Sequence, residues 1–238
     1  MNIALIGYGK MGKAIEEIAS QRGHQIVARL TSQSKLSEIP ENTDVAIEFT
    51  RPESAKTNII HCIEHKIPIV IGTTGWYDEF DSICSKNNAN NNAMLYATNF
   101  SVGVNIFFQV NKKLAEIMNQ HPEYALGITE IHHTQKLDAP SGTAITAVQG
   151  ILDNSSRFNK WELVKNPELS NLESIPVYAE RLPDVPGTHI VNYSSDIDSI
   201  ELKHTAHNRK GFALGSILAA EFIKDKQGIF TMNDVLNL

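Results

Sequence analysis

The sequence predicts an α/β fold: a doubly wound parallel sheet, joined to a second, α+β region built on a mixed sheet. Three observations predict it. In the N-terminal part of the chain, short apolar runs alternate with segments of helical period, the pattern of a parallel sheet covered by helices. The first apolar run opens directly onto Gly7-Tyr8-Gly9-Lys10-Met11-Gly12 and then a helix. Well beyond Asn99-Phe100-Ser101-Val102-Gly103, from about Pro176 on, the strands come grouped, without helices between them, as in a mixed or antiparallel sheet.

Asn2 to Ile6 reads as a buried strand. Met11, Ala14, Ile15, Ile18 and Ala19 recur at helical spacing, and Gly23 closes that helix. Strand, Gly-x-Gly-x-x-Gly, helix is the context of a dinucleotide-binding, Rossmann-type turn. The first glycine makes the turn, the second admits the pyrophosphate, and the third lets helix and strand approach. The next strand, Gln25 to Leu30, should end at the adenosine ribose. An acid there would favour NAD, but Thr31, Ser32, Gln33, Ser34 and Lys35 follow instead. These hydroxyls, with Arg29 and Lys35, lean mildly towards NADPH unless Arg29 turns to the flank of the sheet. NADPH or NADH is the expected cofactor.

Val45 to Phe49 is another buried strand. Thr50-Arg51-Pro52 leads from it into a helix to about His65, with Ala55, Ile59, Cys62 and Ile63 inward. Ile67 to Ile71 is a strand ending in Gly72-Thr73-Thr74-Gly75. Phe80, Ile83 and Cys84 mark a helix, the Asn87 to Asn92 run reads as a loop, and Met94 to Ala97 is a strand. In parallel sheets ligands bind at the carboxyl ends of strands, which makes Gly72, Thr73, Thr74, Ala97, Thr98, Asn99 and Phe100 cofactor-binding candidates beside the glycine turn. A helix then runs from about Asn105 to Met118, followed by a strand from Tyr124 to His132. Asn154 to Asn171 reads as polar and irregular. Strands follow near Pro176 to Glu180, His189 to Ser194 and Ser199 to Ala206, and from Arg209 the chain is helical again.

Over 238 residues, 42% hydrophobic content suffices for one large or two small cores. A net charge of −6 argues against nucleic acid as a partner. An anionic ligand would be drawn by a local basic pocket, not by the overall field. Cys62 and Cys84 lack metal or redox spacing and read as reduced core thiols. The absence of a membrane-length apolar stretch and of a signal segment implies a cytoplasmic protein without membrane partners.

The densest chemistry lies in Glu130-Ile-His-His-Thr-Gln-Lys-Leu-Asp-Ala-Pro-Ser-Gly-Thr143. His132 and His133 carry imidazoles, the side chains suited to proton transfer at working pH. Lys136 is a compact cation suited to a carboxylate or to passing on a proton. Pro140 followed by Ser141-Gly142-Thr143 reads as the first turn of a helix to about Leu152, whose positive end suits a carboxylate; Gly142 permits close approach. A lone histidine or lysine is ordinarily just solvated, and only the string as a whole is specific. No second Cys/His cluster with ligand spacing accompanies it, so no metal site is expected.

The string resembles the signature of the dihydrodipicolinate reductase family, Glu-x-His-His-x-x-Lys-x-Asp-Ala-Pro-Ser-Gly-Thr-Ala, at every fixed position through Ala144. Phe49-Thr50-Arg51-Pro52, Gly72-Thr73-Thr74-Gly75, Asn99-Phe100-Ser101-Val102-Gly103 and the tail from Gly228 also match, so the resemblance spans the chain. It departs at Glu48, where the family commonly has Asp, and between Trp161 and Pro183, where this chain is short. Arg181, Asp184, Gly187 and His189 resemble remnants of an Arg-x-Gly-Asp-x-x-Gly-x-His segment.

The resemblance implies a nucleotide domain from residues 1–101 plus 209–238, with a substrate-binding and oligomerisation domain, 102–208, inserted between. It implies reduction of a cyclic imine dicarboxylate by NAD(P)H in lysine and diaminopimelate biosynthesis, and a homotetramer joined through the second-domain sheets. His132 would be proton donor and acceptor, and Lys136 a proton donor or an electrostatic clamp. His133, Lys136, Gly142 and Thr143 would hold the substrate. Hinges near Ser101 to Gly103 and His207 to Arg209 would let the domains close. Two alternatives remain open at this point: another two-domain dehydrogenase, such as an aspartate-dehydrogenase-like enzyme, and a nucleotide sensor without turnover.

Overall fold

The computed structural model describes residues 1–170, 172–208 and 210–238. Asn171, the expected end of the irregular region, and Arg209, the expected start of the last helix and of a hinge, lie outside the described residues. Close packing divides the chain into two units, Met1–Val102 with Arg209–Leu238, and Gly103–Asn208.

The first unit is a six-stranded, fully parallel sheet. Its strands are β1 (Asn2–Ile6), β2 (Gln25–Leu30), β3 (Val45–Glu48), β4 (Ile69–Ile71), β5 (Ala93–Tyr96) and β11 (Gly228–Phe230), in the order β11-β5-β4-β3-β1-β2. The helices are α1 (Lys10–Gln21), α2 (Pro52–Glu64), α3 (Phe80–Ala89), α6 (Lys210–Ile223) and α7 (Met232–Leu236). Because side chains alternate along a strand, each central strand feeds two cores. Ile3, Leu5, Val45 and Ile47 pack with Ile15 and Ile18 of α1 and Ala213, Ile217 and Ala220 of α6. Ala4, Ile6, Ala46 and Ile69 pack with Ile59, Cys62 and Ile63 of α2 and Ile83 of α3. Burial pushes the Cys62 thiol up to about 12, so it is an inert core group; Cys84 is half-buried.

The second unit is a five-stranded mixed sheet in the order β10-β9-β6-β8-β7. Its strands are β6 (Ala125–His132), β7 (Lys160–Val164), β8 (Ser174–Arg181), β9 (Thr188–Ser194) and β10 (Ser199–Thr205), and its helices are α4 (Val102–Met118) and α5 (Gly142–Leu152). β6 runs parallel to β8 and antiparallel to β9. Leu126, Ile128, Val177, Val191 and Tyr193 face Phe107, Phe108 and Met118 of α4 and Val148 and Ile151 of α5 in one apolar core. No helix among the described residues is long and apolar enough to cross a membrane.

Three expectations are corrected. The Asn87 to Asn92 run is not all loop: α3 continues to Ala89. Asn87 is buried because its amide donates to the carbonyls of Asn92 (3.0 Å) and Gly228 (3.2 Å), stitching β5 to β11. The region from Asn154 is not irregular throughout, since Lys160–Val164 forms the edge strand β7, whose polar residues face outward on an exposed edge and so break the apolar pattern. Pro140 lies before the helix, not in its first turn: Ser141 is the N-cap, its Oγ accepting from the Ala144 amide at 3.2 Å.

Candidate active site

The glycine turn between β1 and α1 sits where the strand order reverses, with β2 on one side of β1 and β3 on the other. Gly7 has φ +104°, and a Cβ there would lie 2.0 Å from the Phe49 carbonyl oxygen. A Cβ on Gly12 would lie 2.5 Å from the Gly7 carbonyl oxygen. Gly9, the N-cap of α1, faces open space. Two glycines thus close the turn, and the middle one leaves room for a ligand at the positive end of α1.

Gly7, Gly9, Lys10, Met11, Gly72, Thr73 and Thr74 line a cavity of about 330 Å³, together with Phe49, Thr50 and Pro52. Thr73 Oγ1 accepts the Thr50 amide at 2.7 Å, tying the turns after β3 and β4 together. Phe49, Thr50 and Pro52 belong to the strand-end segment legible in the sequence. The remaining cofactor candidates lie elsewhere. Gly12 is buried beneath the turn, and Tyr8 Oη bonds Glu16. Phe100 is a core side chain against Phe49, ring centroids 5.7 Å apart. Buried Asn99 accepts the Ser101 amide at 2.9 Å. Ala97 is half-buried and Thr98 exposed beyond β5, and Ser32 is exposed in the turn beyond β2. Arg29 turns to the flank, its guanidinium bound by Glu16 of α1 over the Tyr8 ring.

In the second unit, the C-terminal end of β6 interrupts an apolar layer with polar residues. Glu130, His132 and His189 are buried, and the register sets His132 beside Arg181 of β8 and Glu130 beside His189 of β9. His132 Nδ1 bonds Glu130 Oε2. Glu130 Oε1 accepts from Arg181 Nη2 at 2.8 Å and from the Ser141 amide at 3.2 Å. Burial opposes ionisation of Glu130, yet the hydrogen bonds from His132 and Arg181 outweigh it and hold the carboxyl below its ordinary range. Arg181 also donates to the carbonyls of Asp138 (2.7 Å) and Lys136 (3.4 Å), so one guanidinium fixes the whole signature loop. Glu130, His132 and His189 each place a ligand atom within 4.8 Å of the others. Arg181 already sets a positive charge on Glu130, which disfavours a cation at that point.

His133 follows, half-buried, with Nδ1 buried and unbonded. Lys136 is ion-paired with Asp138, Nζ lying 2.8 Å from both carboxylate oxygens. Gly142 and Thr143 form the first turn of α5, and Gly142 faces open space as Gly9 does. In the second unit His132 thus ends β6, His133 and Lys136 stand in the loop that follows, and Gly142 and Thr143 open α5. Glu130, Ser141, Arg181, Gly187 and His189 support them. Glu130 and Ser141 stand inside the recognised string, and Arg181, Gly187 and His189 in the second family-like segment, but only register and packing show what they touch.

His189 lies 5.1 Å from His132, ring edge to face, with Nε2 3.1 Å from Ser141 Oγ. Burial pushes it down to about 3, with His132, His204 and Lys136 adding to the shift and Glu130 opposing it. The unfolded chain takes up a proton here near pH 6.5 that the folded chain refuses until about pH 3. Stability is therefore full above that window and falls as pH drops through it. We expect urea denaturation to show a loss of about 2 kcal/mol between about pH 7 and pH 5, flattened in His189→Gln. Glu130, whose carboxyl is shifted down, contributes only below that range.

The chain matches the family model described as dihydrodipicolinate reductase, N-terminus, over residues 1–100, and that described as dihydrodipicolinate reductase, C-terminus, over residues 103–236. It is 50% identical to the 4-hydroxy-tetrahydrodipicolinate reductase of Christiangramia forsetii, over 100% of this chain and 98% of that one. It is 32% identical to the enzyme of that name from Thermosipho africanus, over 99% and 98%. Among solved structures it resembles a dipicolinate-bound dihydrodipicolinate reductase from Paenisporosarcina sp. TG-14, with 23% identity, TM-score 0.76 and 98% of each chain covered. An aspartate dehydrogenase from Thermotoga maritima, at 15% identity and TM-score 0.50 over 95% of this chain and 97% of that one, shares the fold alone. With both halves matched in order and a relative half-identical from end to end, the chain belongs to the dihydrodipicolinate reductase family.

Proposed function

We propose that this protein reduces 4-hydroxy-tetrahydrodipicolinate to tetrahydrodipicolinate, with NADPH or NADH, in lysine and diaminopimelate biosynthesis. The observation that carries this is the full-length 50% identity to a reductase of that name. The cavity at the glycine turn fits a dinucleotide: Gly9 leaves space, α1 offers its positive end, and Gly72 to Thr74 form the facing wall. The 4-hydroxyl must leave as water, taking a ring hydrogen as its proton, to give the unsaturated dihydrodipicolinate ring, to whose C4 a bound nicotinamide would supply the hydride. This chain supplies position and the proton that C3 then takes up. His132 is the proton donor. His133 and the first turn of α5, at Gly142 and Thr143, hold a substrate carboxylate, and Lys136 exchanges Asp138 for the substrate. Hydroxyls at Thr31, Ser32 and Ser34, with Lys35, leave room for a 2′-phosphate beyond β2, an inclination towards NADPH that Arg29 does not share.

The test is oxidation of NADPH and of NADH with substrate supplied by dihydrodipicolinate synthase. We expect turnover, and the ratio of rates sets the nucleotide preference. Nucleotide binding without turnover would overturn the assignment. Lys136→Ala should lower kcat/KM by about 10–100-fold; wild-type kinetics in that variant would remove Lys136 from both proton transfer and substrate clamping. For assembly the reading is a homotetramer through the second-unit sheets. Half-buried Ile131, Tyr178 and Ile190, which alternate away from the face carrying α4 and α5, support it; light scattering checks it.

A further inference from the structure

Resting on that reading, we infer that Glu130, anchored by Arg181, is a positioning residue that fixes the tautomer of His132 and leaves Nε2 as the atom that exchanges the proton. Glu130 is buried with both oxygens engaged, Oε1 by Arg181 Nη2 and the Ser141 amide, Oε2 by His132 Nδ1. An ionised carboxylate only accepts, so the hydrogen in the bond to His132 resides on Nδ1. The other ring nitrogen, Nε2, then carries the lone pair of the neutral ring and the labile proton of the charged one.

The surroundings agree. Nε2 points to Gly187, where a Cβ would come within 2.9 Å of it; the missing side chain leaves that nitrogen uncovered. His189, the ring next to His132, stays neutral because burial holds it down to about 3, so it adds no repulsion when His132 is charged. Arg181 lies on the far oxygen of Glu130 and keeps the carboxylate ionised without competing for Nδ1. Glu130 holds the ring from within β6 and is itself held by Arg181 of the neighbouring strand β8 and by the amide of the α5 cap, so the ring is oriented before any ligand arrives.

Glu130→Gln distinguishes positioning from simple structural support. Its amide oxygen is drawn to the two donors, Arg181 and the Ser141 amide. That turns the NH2 towards His132, where it must donate to Nδ1 and drive the ring proton to Nε2. We expect kcat to fall about 100-fold, with KM and nucleotide affinity within a few-fold. In 15N-histidine spectra the neutral His132 ring should switch from the Nδ1–H to the Nε2–H pattern, whereas Glu130→Asp keeps Nδ1–H. A Gln variant with unchanged tautomer and near-wild-type kcat would overturn the inference. If that variant does not fold, the wild-type spectrum decides: an Nε2–H neutral ring there refutes it, and an Nδ1–H ring supports it. The tautomer is read without substrate, so absence of turnover in wild type would count against the reductase reading and not against Glu130.

Discussion

Replacing His132 by alanine is expected to lower kcat by about 1,000-fold while leaving nucleotide affinity unchanged. The size follows from how few groups near the strand end can take its place. Lys136 is ion-paired with Asp138 before the substrate arrives and with the substrate afterwards, and His189 is held neutral by burial. His133 is the next residue on the chain, but it has no carboxylate partner like Glu130, its Nδ1 being buried and unbonded. The nucleotide should be indifferent, because every residue lining the glycine-turn cavity belongs to the first unit. The fold should survive as well, since Glu130 keeps Arg181 and the Ser141 amide when the imidazole is removed. Steady-state kinetics and a nucleotide titration check both halves. A variant retaining more than about a tenth of wild-type kcat would move the proton to another donor.

The second large effect separates two glycines of one turn. Gly7→Ala should cost about 3 kcal/mol of stability, from a Cβ at positive φ and its collision with the Phe49 carbonyl. In a chain of this size that is a fall in Tm on the order of 10 °C. Gly9→Ala should leave Tm within about 2 °C, because its Cβ meets nothing. Its effect should instead fall on nucleotide affinity, weakened by about tenfold or more, because the methyl occupies the space a pyrophosphate needs. Calorimetry and a binding titration on the two variants check the division. If Gly9→Ala bound nucleotide as wild type does, the open side of the turn would not be where the phosphates lie.

Much of this was legible in the sequence. The β1 turn and the His-His-x-x-Lys string declare themselves because each packs its chemistry into a few consecutive residues. The strands from about Pro176 to Ala206 announced a mixed sheet because no helical period separates them. What the sequence hid was longer in range. Arg181 stands 51 positions from Glu130, and only the parallel register of β6 and β8 sets them together. Asn87 looks like a turn former until its amide is seen bridging Asn92 and Gly228. β7 hid because an edge strand with an exposed face need not alternate cleanly. Lys136 and Asp138 were both read from one string, but their pairing is a conformational fact that residue types alone do not carry. For Arg29 and Phe100 the sequence supplies a place along the chain, and only packing shows the side chains turned to the flank and to the core.

The last strand and the last long helix of the first unit come from the end of the chain. α6 lays Ala213, Ile217, Ala220 and Ile223 on the same core as β1 and α1, and β11 forms the sheet edge beside β5. During synthesis, β1 to β5 therefore leave the ribosome with one face covered by α1 but not by α6, and must wait while the whole inserted unit is translated. The inserted unit is contiguous in sequence and owns its core outright. The part made second can thus be finished first, and the part made first is completed only when the final residues emerge.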